Sequence, residues 1–76
     1  MEIELFIPNN DSEEEVFFSV KIGGLSFEND SLAAIITWCK KNGCNRKQLE
    51  SIQLLGESKV NRAITLCIND EGRVIK

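Results

Sequence analysis

A chain of 76 residues, 42% hydrophobic and 28% charged, is too short for two cores and too apolar to stay disordered, so residues 1–76 are expected to form one domain. A core this thin leaves little room for a deep substrate cavity and excludes a multidomain enzyme. The formal charge of −3 is unevenly spread: residues 1–30 carry eight acids against Lys21 alone, giving −7, and residues 31–76 carry eight bases against four acids, giving +4.

Ile3, Leu5 and Ile7 alternate with Glu2, Glu4 and Phe6, the period-two pattern of a half-buried strand over 2–7, which Pro8 ends by removing a ladder donor. Residues 9–15, Asn-Asn-Asp-Ser-Glu-Glu-Glu, hold no apolar side chain and predict an exposed loop. Val16, Phe18, Val20 and Ile22 alternate again, so a second strand is expected antiparallel to the first. Gly23-Gly24 is a two-residue turn signal, and Leu25-Ser26-Phe27 can return as a short strand.

Asn29, Asp30 and Ser31 supply capping side chains before Leu32, Ile35, Ile36 and Cys39, which fall on one helical stripe. The helix is expected to stop at Asn42-Gly43, with Lys40 and Lys41 complementing its dipole. Asn45 and Gln48 form a capping-box pattern, read as a short helical turn over 45–50 that seats Leu49. Residues 52–55, Ile-Gln-Leu-Leu, then read as a strand closed by Gly56, with Ile52 and Leu54 in the core. After a polar loop over 57–61, Ile64, Leu66 and Ile68 alternate as a further core-facing strand, and Asn69-Asp70-Glu71-Gly72 turns the chain into a short edge strand over 73–76.

The sum is an α+β fold: a mainly antiparallel sheet of four to six strands with one α-helix over one face. A hairpin, a helix, a turn and strands ending in Leu54-Leu55-Gly56 is similar in outline to the β-grasp fold of ubiquitin, over about residues 1–56. The chain closes on Val74-Ile75-Lys76 rather than a di-glycine tail, so the resemblance does not imply conjugation.

With no histidine in the chain, a Ser-His-Asp or Cys-His nucleophile system has no base, and Gly23-Gly24 is a hairpin turn rather than a phosphate loop. A non-enzymatic protein is expected, with no catalytic residue and no cofactor. Cys39, Cys44 and Cys67 are too few for a disulfide framework and lack the tight spacing of zinc knuckles, so they are expected as reduced, packed thiols with no metal. No apolar run is long enough to span a bilayer, and Met1-Glu2-Ile3-Glu4 lacks the basic start of a signal peptide, which predicts a cytoplasmic protein with no membrane partner.

What remains is surface. A sheet covered on one face leaves Phe6, Phe17, Leu55 and Cys67 to be read as apolar residues on the other, and Phe6 and Phe17 are expected as neighbours edged by Glu2, Glu4 and Lys21. Trp38, off the main helical stripe, is expected half exposed at the sheet margin. Asp11, Glu13, Glu14 and Glu15 are either a solvated loop or a mimic of a phosphate backbone that occupies a basic groove. In size and charge the chain is similar to small acidic inhibitors of nucleic-acid enzymes, including phage anti-defence proteins of the anti-CRISPR type. The expected function is accordingly stoichiometric binding to a larger protein, as an inhibitor or adaptor, through Asp11, Glu13, Glu14, Glu15, Phe6, Phe17 and Trp38. Two alternatives stand beside it: a homodimeric module using the exposed sheet face, and nucleic-acid binding through Lys40, Lys41, Arg46 and Lys47, disfavoured by the negative net charge.

Overall fold

A computed structural model describes residues 1–9, 17–58 and 62–75. The expected acidic loop lies mostly outside these residues. The elements are strands β1 (Ile3–Ile7), β2 (Phe18–Ile22) and β3 (Leu25–Asn29), helices α1 (Leu32–Lys41) and α2 (Arg46–Glu57), and strand β4 (Ile64–Ile68). The four strands form one antiparallel sheet in the order β3-β2-β1-β4. The α+β expectation therefore holds, with two helices in place of one.

Strand alternation decides which residues enter the core. Ile3, Leu5 and Ile7 of β1 face Ile22 and Val20 of β2 on one side and Ile68, Leu66 and Ile64 of β4 on the other. This row meets Ile35 and Cys39 from α1 and Ile52 from α2, all fully buried. Helix α1 lies over β2 and β3, and α2 over β1, so both cover the same face.

Both helices begin where capping chemistry allows. Ser31 is extended and its hydroxyl accepts from the Ala34 amide; at α2, Asn45 Oδ1 accepts from the Gln48 amide while Gln48 Oε1 accepts from Asn45 N. Helix α1 ends as expected at Asn42-Gly43: Gly43 takes φ +94°, Gly43 N donates to Lys40 O, and Cys44 N donates to Cys39 O at 3.1 Å. That pairing of amides with the last-turn carbonyls is a Schellman closure, which also sets Cys44 against Cys39.

The strand expected over 52–55 is instead the second half of α2. Three apolar side chains within four residues satisfy either period, and the capping box at Asn45 nucleates a helix that continues through them. On that helix Gln48 and Ile52 fall one turn apart and are fully buried, whereas Leu54, expected in the core, points outward and is 71% exposed. Gly56 acts as a contact point rather than a breaker, because a Cβ there would lie 2.4 Å from Leu32 Cδ1 across the α1–α2 interface. Leu54-Leu55-Gly56 thus ends a helix, and the β-grasp outline fails at that point. Ile64, also expected in the core, sits at the end of edge strand β4 and is exposed. Of the edge strand expected over 73–76, the described residues show one bridge, Val74 with Ile68, plus the bond from Ile75 N to Cys67 O at 2.8 Å.

Gln48 is the fully buried polar side chain of this core, and its amide is saturated: besides the cap, Nε2 donates to Met1 O at 2.8 Å and to Asn69 O at 3.2 Å. Around it, Asn45 Nδ2 donates to Asp70 O, the Ser51 hydroxyl to Gly72 O, and the Met1 amino group pairs with the Asp70 carboxylate. The turn itself is held by Asn69 Oδ1, which accepts from the Glu71 and Arg73 amides. Gly72, at φ +77°, approaches so closely that a Cβ would lie 2.5 Å from Lys47 O.

Replacing Gln48 with Ala leaves Met1 O, Asn69 O and Asn45 N without their part-buried hydrogen bonds to its side chain and is expected to cost about 2–4 kcal/mol in urea unfolding followed by Trp38 fluorescence. Leu54→Ser is expected to shift stability by less than about 0.5 kcal/mol, where a core strand position would lose several times more. A loss of about 2 kcal/mol in the Leu54 variant would contradict the helical assignment of its face.

Candidate partner-binding surface

With both helices on one side, the other face of the sheet is built from the alternate residues: Ser26 and Glu28 on β3, Ser19 and Lys21 on β2, Glu4 and Phe6 on β1, Thr65 and Cys67 on β4. Most of this face is polar and ordered by charge, with Glu4 directly opposite Lys21, a favourable cross-strand pair. Phe6 is its aromatic member, half-buried between Ser19 and Thr65. Phe17 directly precedes β2 and is 42% exposed. Phe6 and Phe17 therefore lie at the same end of the sheet, the end from which residues 10–16 connect β1 to β2.

The remaining expected site residues fall elsewhere. Asp11, Glu13, Glu14 and Glu15 lie outside the described residues. Leu55 belongs to α2 and not to the open face, a consequence of the helix replacing the expected strand. Cys67 does occupy the open face, opposite Glu4. Trp38 is half-buried on α1 and stacks on Phe27 of β3 with ring centroids 5.5 Å apart and planes 6° from parallel. It thus sits at the sheet margin, as expected, while its partner Phe27 was legible only as part of a short returning strand. The contact is an offset stack that ties α1 to the edge strand.

The basic cluster is split between two helix ends. Lys40 and Lys41 occupy the last turn of α1, where they complement its dipole. Arg46 and Lys47 open α2, and Arg46 Nε is engaged by Glu50 Oε1 at 3.0 Å one turn along. Between the helices runs a shallow groove of about 420 Å³ along Leu32, Ile36 and Gln53.

The cysteines divide by burial. Cys39 and Cys44 are buried, brought together by the Schellman closure, and all three thiols are free. Burial pushes the Cys39 thiol up from 9.0 to about 12, and the charge and hydrogen bonding of Cys44 add to the rise. Burial also raises Cys44, partly opposed by its hydrogen bond to Cys39. The contact follows from the spacing of Cys39 and Cys44 around Gly43, a signal present in the sequence that was weighed only for disulfide and metal chemistry and not for helix closure. Among the described residues no three His, Cys, Asp or Glu side chains gather as a metal site, and no helix is long and apolar enough to cross a membrane.

Comparison with protein families, with characterised proteins and with solved structures yields no match for this chain.

The folded thiol of Cys39 holds its proton to higher pH than the unfolded one, so its contribution to stability is complete below about pH 9 and is lost as pH rises towards 12. Urea midpoints measured from neutral to alkaline pH are expected to fall more steeply for the native chain than for Cys39→Ala. Equal slopes would show that the Cys39 thiol is not held in this way.

Proposed function

We propose that this chain is a non-enzymatic module that binds a larger protein stoichiometrically, acting as an inhibitor of the phage anti-defence or anti-CRISPR type. The binding surface in this reading is the open sheet face at Phe6 and Phe17 together with the acidic segment from Asp11 to Glu15. The observation that carries the reading is positional: both helices pack on one face, and exposed Phe17 follows the acidic segment Asp11 to Glu15 by two residues in the sequence. An aromatic anchor beside a block of carboxylates combines two different contributions to binding. The ring supplies burial at the centre of a contact, and the carboxylates supply steering and register against a basic groove. A partner that normally holds a nucleic-acid backbone presents such a groove, and carboxylates placed in it occupy the phosphate positions. Trp38 stands at the margin of the opposite face, packed against Phe27, and supports the scaffold rather than this surface.

The test is copurification of the tagged chain from its native cell, with the partner's stoichiometry determined, for the native sequence, for Glu13→Lys/Glu14→Lys/Glu15→Lys, and for Phe17→Ser. One partner in equimolar amount is expected, released by raised salt, lost with the charge reversal and weakened at least tenfold by Phe17→Ser. A partner retained equally by both variants would overturn the assignment of this surface.

A further inference from the structure

The two edges of the sheet are finished differently. On the outer side of β4, Val74 bridges Ile68 and Ile75 N donates to Cys67 O, so part of that edge is occupied by the chain's own last residues. On the other side the sheet ends at β3, and no further strand pairs with it among the described residues.

The β2–β3 hairpin determines which backbone groups of β3 point outward. Gly23 takes φ +59° and Gly24 stays out of the left-handed region, so the two-residue connection is of type II′ and closes on a hydrogen-bonded pair, Ile22 with Leu25. Hydrogen-bonded and non-hydrogen-bonded pairs alternate along an antiparallel ladder. Phe27, opposite Val20, and Asn29, opposite Phe18, therefore bond inward to β2. Ser26, opposite Lys21, and Glu28, opposite Ser19, direct their N–H and C=O groups away from the sheet. Natural edges are blunted by lysine, proline or a bulge, and β3 has none of them: its sequence is Leu-Ser-Phe-Glu-Asn and its five pairs with β2 run without interruption.

We propose that β3 pairs antiparallel with β3 of a second copy of this chain about a two-fold axis at Phe27, joining the two sheets into one. In that register Ser26 lies opposite Glu28 of the second copy and Glu28 opposite its Ser26, so the residues with outward backbone groups become the hydrogen-bonded pairs. The strand's one charge then meets a hydroxyl. Centring the pairing on Glu28 would oppose like charges, and centring it on Ser26 would lay Glu28 against the turn at Gly24, beyond the strand. Phe27 meets its counterpart as the close, non-hydrogen-bonded pair on the helix-covered face, with the Trp38 ring stacked behind each. Leu25, 55% exposed in the single chain, falls opposite Asn29 and loses part of that exposure. The contact is isologous and closes on itself. Because the axis runs perpendicular to the sheet, the helices of both copies stay on one side and the open faces at Phe6 stay on the other, so the pairing is independent of the surface proposed above.

The test combines mass with site-specific exchange on the full chain, from micromolar to millimolar concentration. Light scattering is expected to show a monomer passing to a dimer, with hydrogen exchange at the Ser26 and Glu28 amides slowing as the dimer fills. Ser26→Glu sets two carboxylate pairs against each other and is expected to weaken the dimer about tenfold, whereas Ser26→Lys strengthens it. Both substitutions are at an exposed outer-face position and leave the monomer fold intact. A monomer throughout, with both amides exchanging freely, overturns the proposal and leaves the edge open to a strand of another protein. A dimer whose two amides stay open, and whose affinity ignores the charge at position 26, overturns it equally, because that association uses another surface.

Discussion

The arrangement depends on one buried amide. Gln48 stands at the third position of α2, where its backbone N–H and side-chain carbonyl complete the helix cap, while its Nε2 reaches the carbonyls of Met1 and Asn69. A single side chain thereby joins the start of the chain, the start of a helix and the turn after the last strand. Removing that side chain would cost the free energy of two part-buried hydrogen bonds as well as the cap, so the three segments are held in one geometry. The surrounding bonds from Asn45 and Ser51 to the backbone of residues 70 and 72 reinforce it, and the close approach of Gly72 to Lys47 leaves no room for a side chain.

This junction determines how the faces of the sheet are used. It anchors α2 over β1 beside α1, which lies over β2 and β3, and both helices spend their apolar stripes on the same side. The opposite face remains polar apart from its aromatic end, with Glu4 and Lys21 facing each other across adjacent strands. The same junction brings residues 73–75 back along β4, which partly closes one edge. The other edge, β3, is supported from behind by the Phe27–Trp38 stack but has no partner of its own among the described residues. The molecule thus has a covered face, an open face, a partly closed edge and an open one, and its contacts with other chains are constrained by that asymmetry.

Much of this was legible in local pattern, and the failures have specific causes. Alternation in β1, β2 and β4 identified the core rows because a strand's period of two permits only two faces. Ser31, Asn42 and Gly43 marked the limits of α1 because capping depends on a few neighbouring residues. Ile52 to Leu55 misled because a short apolar run fits either period, and Gly56 resembled a stop signal when its role is to admit Leu32. The surface suffered in proportion: Leu55 was assigned to the open face only because it was first placed in a strand. Phe6 and Phe17 come to the same end of the sheet through the antiparallel pairing of β1 with β2, which their alternation already implied.

The sequence by itself determined the α+β class, the first hairpin, the limits of α1 and the membership of most of the core, because each rests on interactions within a few residues or on a strict period. Tertiary structure alone decided that Gln48 is buried and saturated, and that Asn45 and Ser51 bond to the backbone of residues 70 and 72. The physical reason is common to both. Each depends on which distant backbone groups a side chain meets after collapse, and hydrogen-bond partners separated by 21 or 47 positions leave no periodic trace in the sequence.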